Sequence, residues 1–136
     1  PMTSLSENLR PPYYAAVIAP HGDTPDSSAR LAIDELISIA PKQDGFLGLE
    51  TGRTIDGRGA TVCYWTSPSA IQGWKSKVLR QLIQELNLKH RRLEDACDIE
   101  VTRIVKRLFG RKTPLTVTFM QEQMDQRFLP VQGRAA

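Results

Sequence analysis

The chain has 136 residues, a net charge of +3, 40% hydrophobic side chains and 24% charged ones. That is ordinary for one globular domain with enough interior to fold without disulfide staples. No apolar run reaches membrane-span length and no charged-then-apolar leader opens the sequence, so neither a membrane role nor secretion is expected. Cys63 and Cys97 lack C-x-x-C spacing, which points to reduced thiols, a cytoplasmic setting and no metal centre. Met2 reads as a start residue and Pro1 as an addition before it.

In chain order, residues 1–10 are polar and read as a frayed end. Residues 13–19, Tyr-Tyr-Ala-Ala-Val-Ile-Ala, read as a buried strand that Pro20-His21-Gly22-Asp23 stops. Asp26 can cap a helix. Ala29, Ile33, Leu36, Ile37 and Ala40 then recur at helical spacing, and Pro41 ends the run. A second strand starts at Phe46 and reaches Glu50, with continuation toward Ile55. Asp56-Gly57-Arg58-Gly59 signals a hairpin turn into a third strand, residues 60–65.

Ser67 and Pro68 supply a capping oxygen and a proline at the first helical position. They open a helix whose apolar stripe is Ile71, Trp74, Val78, Leu82 and Leu86, running to about Lys89. Ile99, Val101 and Val105 alternate with polar residues as a fourth strand, in which Arg103 breaks the apolar register. The order β-α-β-β-α-β predicts an α+β, ferredoxin-like domain over residues 11–110. Residues 111–136 form a C-terminal extension, with a strand predicted at 115–119 and a short helix at 121–129. Phe119, Met120, Phe128 and Leu129 make the extension too apolar for a linker, so it should pack on its own domain or on a partner subunit.

Charge is uneven: residues 1–74 carry five basic and eight acidic side chains, whereas residues 75–112 carry eleven and five. The Lys89-His90-Arg91-Arg92 run lacks interleaved aromatics and any reading motif, so it is expected to be a solvated helix end rather than a nucleic-acid surface.

Residues 13–18, the motif Gly45-Phe46-Leu47-Gly48-Leu49-Glu50 and the run Ala60–Lys75 together resemble segments of the antibiotic biosynthesis monooxygenase family. Residues 13–18 are similar to its first strand, and Gly45-Phe46-Leu47-Gly48-Leu49-Glu50 to its second-strand motif, with Asp44 where proline is usual. The run from Ala60 to Lys75, with Trp65, Ser67, Ala70, Ile71 and Trp74, resembles its third strand and second helix, and Gln84-Glu85-Leu86 fits a later part of that helix. The resemblance spans residues 12–107. It implies a homodimer in which two open sheets close into a barrel. Members of that family include cofactor-free oxygenases of polycyclic phenols and haem-degrading oxygenases, and many others have no assigned activity. Trp65 matches a pocket tryptophan of the cofactor-free enzymes, and Trp74 the position that packs near haem in the haem degraders. Departures are specific. Thr61 stands where cofactor-free members carry asparagine, Gln84 where haem degraders place the iron-binding histidine, and Arg80 where many members have another histidine. Arg91-Arg92 replaces a common Trp-Tyr pair. These departures disfavour haem, and no cofactor is expected.

The resulting expectation is a cofactor-independent monooxygenase-like protein acting on an aromatic or polyketide-like small molecule. The alternative is a non-catalytic dimer of the same fold that binds a small ligand or a protein. The candidate catalytic residues are His21, Thr61 and Trp65. The candidate ligand-binding residues are Tyr14, Trp65, Trp74 and Arg80. For both tryptophans, core packing is the competing role. His90, among cations near a helix end, is a weaker base candidate than His21. Truncation after Gly110 should lower the melting temperature or abolish dimerisation. An unchanged melting curve together with unchanged molecular size would refute a packing role for the extension.

Overall fold

The computed structural model describes residues 8–22, 26–87, 92–106 and 121–122. Strand β1 (Tyr13–Ala19) is followed by helix α1 (Ser27–Ile39), β2 (Phe46–Arg53), β3 (Gly59–Trp65), α2 (Pro68–Leu86), β4 (Asp98–Ile104) and a two-residue β5 (Gln121–Glu122). The sheet order is β2-β3-β1-β4-β5, with every neighbouring pair antiparallel. The first four strands and two helices are the expected ferredoxin-like α+β unit.

Local chemistry fixes the helix ends. The Asp26 carboxylate accepts from the Ala29 amide at 2.8 Å, and the Ser67 hydroxyl from the Ala70 amide at 3.1 Å. Each satisfies an amide that the first helical turn would leave orphaned. Asn87, at φ 53°, closes α2 in the left-handed region. Pro41 does not simply stop α1. It sits inside a short 3-10 turn, Ala40–Lys42, that prolongs it.

The sheet separates two apolar layers. On the helix side, Ala16, Ile18, Cys63, Trp65, Ile99 and Val101 meet Ala32, Leu36, Ile71, Trp74, Val78 and Leu82 from the two helices. The buried line of α1 is Ala29, Ala32, Leu36 and Ile39, so the expected Ile33 and Ile37 lie at its margin. On the far side, Tyr13, Ala15, Val17, Val62, Tyr64 and Ile104 form a second cluster, with Leu9 packed against it. All six of these side chains are at most 4% exposed within the single chain.

β2 ends at Arg53, inside the expected continuation toward Ile55, because hydrogen bonding to β3 carries it past its apolar stretch. Two boundaries differ from the pattern-based expectation. β4 ends at Ile104, leaving Val105 exposed beyond the ladder. Gln121–Glu122, expected to start a helix, is instead paired with Ile104 and Arg103. Pairing with a strand edge outweighs weak local helix propensity. The rest of the extension and residues 88–91, including His90, lie outside the described residues.

One contact sets how closely β2 approaches α2. Gly45, at φ 88°, accepts through its carbonyl from the Thr66 amide at 2.9 Å. A Cβ there would meet Ala70 Cβ at 2.6 Å and Thr66 Oγ1 at 2.8 Å. Gly57 has a similar φ of 90° but open space around it. Both alanine substitutions incur the left-handed strain of about 1–2 kcal/mol, and only Gly45→Ala adds a clash with the backbone-near atoms of α2. Gly45→Ala should therefore lower the melting temperature clearly more than Gly57→Ala. Equal losses in thermal melts would show that this close approach contributes nothing.

Candidate functional site

β3 delivers Trp65 to the junction of the sheet with α2. Alternation puts Thr61, Cys63 and Trp65 on the helix side. The register sets Tyr14 of β1 and Phe46 of β2 directly across from Trp65, one on each flank. Phe46 meets the indole edge-on, with centroids 5.5 Å apart, and Trp74 lies 4.7 Å away at 34°. Both tryptophans are fully buried, whereas Tyr14 and Phe46 are half-buried and pack against the same cluster.

The two indoles differ in their polar atoms. Trp74 Nε1 donates to the Leu36 carbonyl at 3.0 Å and thereby ties α2 to the end of α1. Trp65 Nε1 is buried with no hydrogen-bond partner. Buried indole N–H groups usually find an acceptor, and leaving one unmet costs about 1–3 kcal/mol. Three expected site residues, Tyr14, Trp65 and Trp74, are thus brought together, and Phe46 joins them. In the sequence Phe46 is only part of a strand motif. Its place beside Trp65 follows from a β-bulge at Leu47, for which the sequence carries no separate signal.

The other candidates lie elsewhere. Thr61 shares the helix-side face but sits four residues back, about 13 Å along the strand, opposite Ile18 and Thr51. Arg80 is exposed on α2, off the buried Trp74–Val78–Leu82 line. His21 follows the far end of β1, beyond about 16 Å of strand past Tyr14. Cys63 is next to the cluster, but burial pushes its thiol up to about 12, as it does that of Cys97. Neither is a nucleophile at neutral pH.

His21 belongs to a polar clamp at the opposite end of the sheet. Its Nδ1 lies 2.8 Å from Asp98 Oδ1, while Asp98 Oδ2 accepts from Arg58 Nη1 at 2.9 Å. Arg58 also donates to the Pro20 carbonyl, and its Nε reaches both Asp56 oxygens at 3.1 and 3.2 Å. Thr54 donates to Asp56 and accepts from the Arg58 amide. One guanidinium so joins the loop after β1, the β2–β3 turn and the start of β4. The sequence marked residues 56–59 as a turn, but nothing in it linked Arg58 to Asp98. Among the described residues no group of three His, Cys, Asp or Glu side chains is gathered for a metal ion, and no described helix is long and apolar enough to cross a membrane.

Two carboxylates give opposite pH signatures. Hydrogen bonds from Thr54 and Arg58 hold Asp56 below its usual 3.8. Its contribution is present above that value and lost as pH falls through the folded pKa. Glu100 is raised from 4.5, chiefly by burial and then by Asp98. Ionising it costs stability that sets in as pH rises from about 4.5 through the raised value. Glu100→Gln should therefore stabilise the protein modestly at pH 7, and the gain should vanish below the unfolded pKa. Thermal melts across that range check it, and a gain independent of pH would contradict the assigned cause.

Solved structures with similar geometry include SnoaB, a cofactor-independent oxygenase from Streptomyces nogalater, at 13% identity and TM-score 0.44, covering 74% of this chain and 96% of that one. A dimeric ferredoxin-like protein of unknown function from Jannaschia sp. CCS1 matches at 16% identity and TM-score 0.40, covering 65% and 95%. Likeness at this level bears on neither activity nor substrate, and the fold assignment stands on the strand order itself. No family model matches the chain. In sequence it is 38% identical over 84 residues to the uncharacterized protein YqjZ of Bacillus subtilis strain 168, covering 62% of this chain and 74% of that protein. At that identity and coverage the chain belongs to the same family as YqjZ.

Proposed function

We propose that this protein is a cofactor-independent, monooxygenase-like enzyme that holds an electron-rich aromatic or polyketide-like molecule against Trp65. The observation that carries the reading is the buried, unpartnered Trp65 Nε1 inside an aromatic cluster. Aromatic walls with one inward donor suit a ring bearing an oxygen acceptor. A phenolate oxygen is the acceptor that such a donor stabilises most, because a charged partner roughly doubles the hydrogen bond.

The chemistry then belongs largely to the substrate. An anthrone-type phenol, once deprotonated, can give electrons to dioxygen. Its methylene loses two hydrogens and gains one oxygen atom, and the second oxygen atom leaves as water. The substrate supplies all four electrons, so no external reductant is needed. The protein's part is to exclude water and to favour the anion. Tyr14, directly across from Trp65, is the hydroxyl-bearing side chain placed to orient the ring. Thr61 and His21 are too distant along the strands to share one small contact with Trp65, and Thr61 could meet only the far end of an extended substrate.

A non-catalytic ligand-binding role is the second reading. It is favoured by the placement of His21, which is engaged by Asp98 rather than brought to the indole. Oxygen uptake with a panel of anthrones and hydroquinone-like phenols, run beside tryptophan-fluorescence binding, separates the two. Uptake that falls about tenfold in Trp65→Phe, the loss expected for a hydrogen bond to a charged group, supports the enzyme. Saturable binding without uptake supports the second reading, and no binding by any panel member removes both.

A further inference from the structure

We propose that Arg103 is a specificity-determining residue of the Trp65 site, selecting aromatic ligands that carry a carboxylate beyond Tyr14. The proposal rests on the reading that a ligand meets Trp65, and it adds the charge that this ligand bears.

Arg103 is the residue that breaks the apolar register of β4 in the sequence. Ile99 and Val101 precede it on the same face and belong to the helix-side core. Alternation therefore carries Arg103 to that face as well. The ladder then sets one row across the sheet. Phe46 lies across from Trp65, Trp65 from Tyr14, and Tyr14 from Arg103. Adjacent strands are about 4.8 Å apart, so the backbone at Arg103 stands roughly 10 Å from that at Trp65, with Tyr14 between them.

Burial and charge change along this row. Trp65 is fully buried, while Phe46, Tyr14 and Arg103 are half-buried. Arg103 Nε is enclosed, although the residue as a whole keeps contact with solvent. A partly enclosed cation is costly unless its charge is used. A guanidinium has five N–H donors, so it can keep a protein partner and still bind an anion. Strands β1 to β4 put no Asp or Glu on this face: Glu50, Asp98 and Glu100 lie on the other one, across from Val62, Ala19 and Val17. β5 sets Glu122 across from Arg103 on the outer flank. The inner flank, toward Tyr14 and Trp65, is thus the one on which the sheet brings no acidic residue to the cation.

The order of groups defines the ligand. Trp65 supplies an N–H donor at one end, Tyr14 a ring and a hydroxyl in the middle, and Arg103 a planar fork of donors at the other end. A carboxylate matches that fork with two parallel hydrogen bonds, and a tyrosine hydroxyl can add a third. A rigid aromatic acid whose phenolic oxygen and carboxylate are on the order of 10 Å apart spans the row.

The test is calorimetric titration of the full chain at pH 7 with 6-hydroxy-2-naphthoate and, as its neutral counterpart, 6-hydroxy-2-naphthamide. The acid should bind about tenfold or more tighter than the amide, the usual worth of a hydrogen bond to a charged group. Arg103→Gln should remove that preference while leaving the amide constant within about twofold, which also shows that the variant is folded. Arg103→Lys, with the charge but not the fork, should keep part of it. Trp65→Phe should weaken both ligands. Amide binding without a preference for the acid overturns the role of Arg103 and leaves the Trp65 reading standing. An acid preference that survives Arg103→Gln, or equal losses for both ligands in that variant, also overturns it. Acid binding that Trp65→Phe leaves unchanged overturns the link between the two residues, and no binding of either ligand removes both readings.

Discussion

The contact between Trp65 and Trp74 is the joint on which the helix side of this domain depends. Trp65 ends β3, and Trp74 lies one and a half turns into α2 on the face that meets the sheet. Stacking them sets the height of α2 over the sheet. The Trp74 N–H then reaches the Leu36 carbonyl and places α1 relative to α2. Gly45 completes the joint from below, since only a residue without Cβ lets the start of β2 slide under Thr66 and Ala70. Three elements separated in sequence are located by two rings and one missing side chain. A joint so closely packed tolerates little change in volume.

That rigidity bears on what Trp65 can do. A donor meant to stabilise charge is effective when it is fixed before the charge appears, because no reorganisation is then needed. Trp74 on one side and Phe46 on the other prevent the indole from turning its N–H elsewhere. The same packing seals Trp65 from solvent, with the half-buried Tyr14 and Phe46 on its two flanks.

The fold was legible in the sequence because each of its rules is local. Period-two runs gave the strands, Ser67-Pro68 and Asp26 gave the helix starts, and the order of elements restricted the topology. The tryptophans were legible as a pair, but not their unequal hydrogen bonding. Whether an N–H meets a carbonyl depends on where Leu36 comes to rest, and no pattern near Trp74 encodes that. The clamp was hidden for the same reason: Arg58 and Asp98 are forty residues apart and meet only because β3 and β4 flank β1. His21, a catalytic candidate in the sequence, has a carboxylate partner at the end of the sheet away from the indole.

Each face of the sheet carries a buried polar atom without a hydrogen-bond partner. On the helix side it is the Trp65 N–H; on the far side it is Thr102 Oγ1. The polar groups of the clamp, by contrast, are met by one another, although several are far more exposed and could have turned to water at little cost. Pairing does not follow burial alone: Trp74 Nε1 is as deeply buried as Trp65 Nε1 and is met by the Leu36 carbonyl, although the desolvation penalty is greatest where exposure is least. An indole N–H can only donate, whereas a threonine hydroxyl can donate or accept, so the two atoms lack different partners.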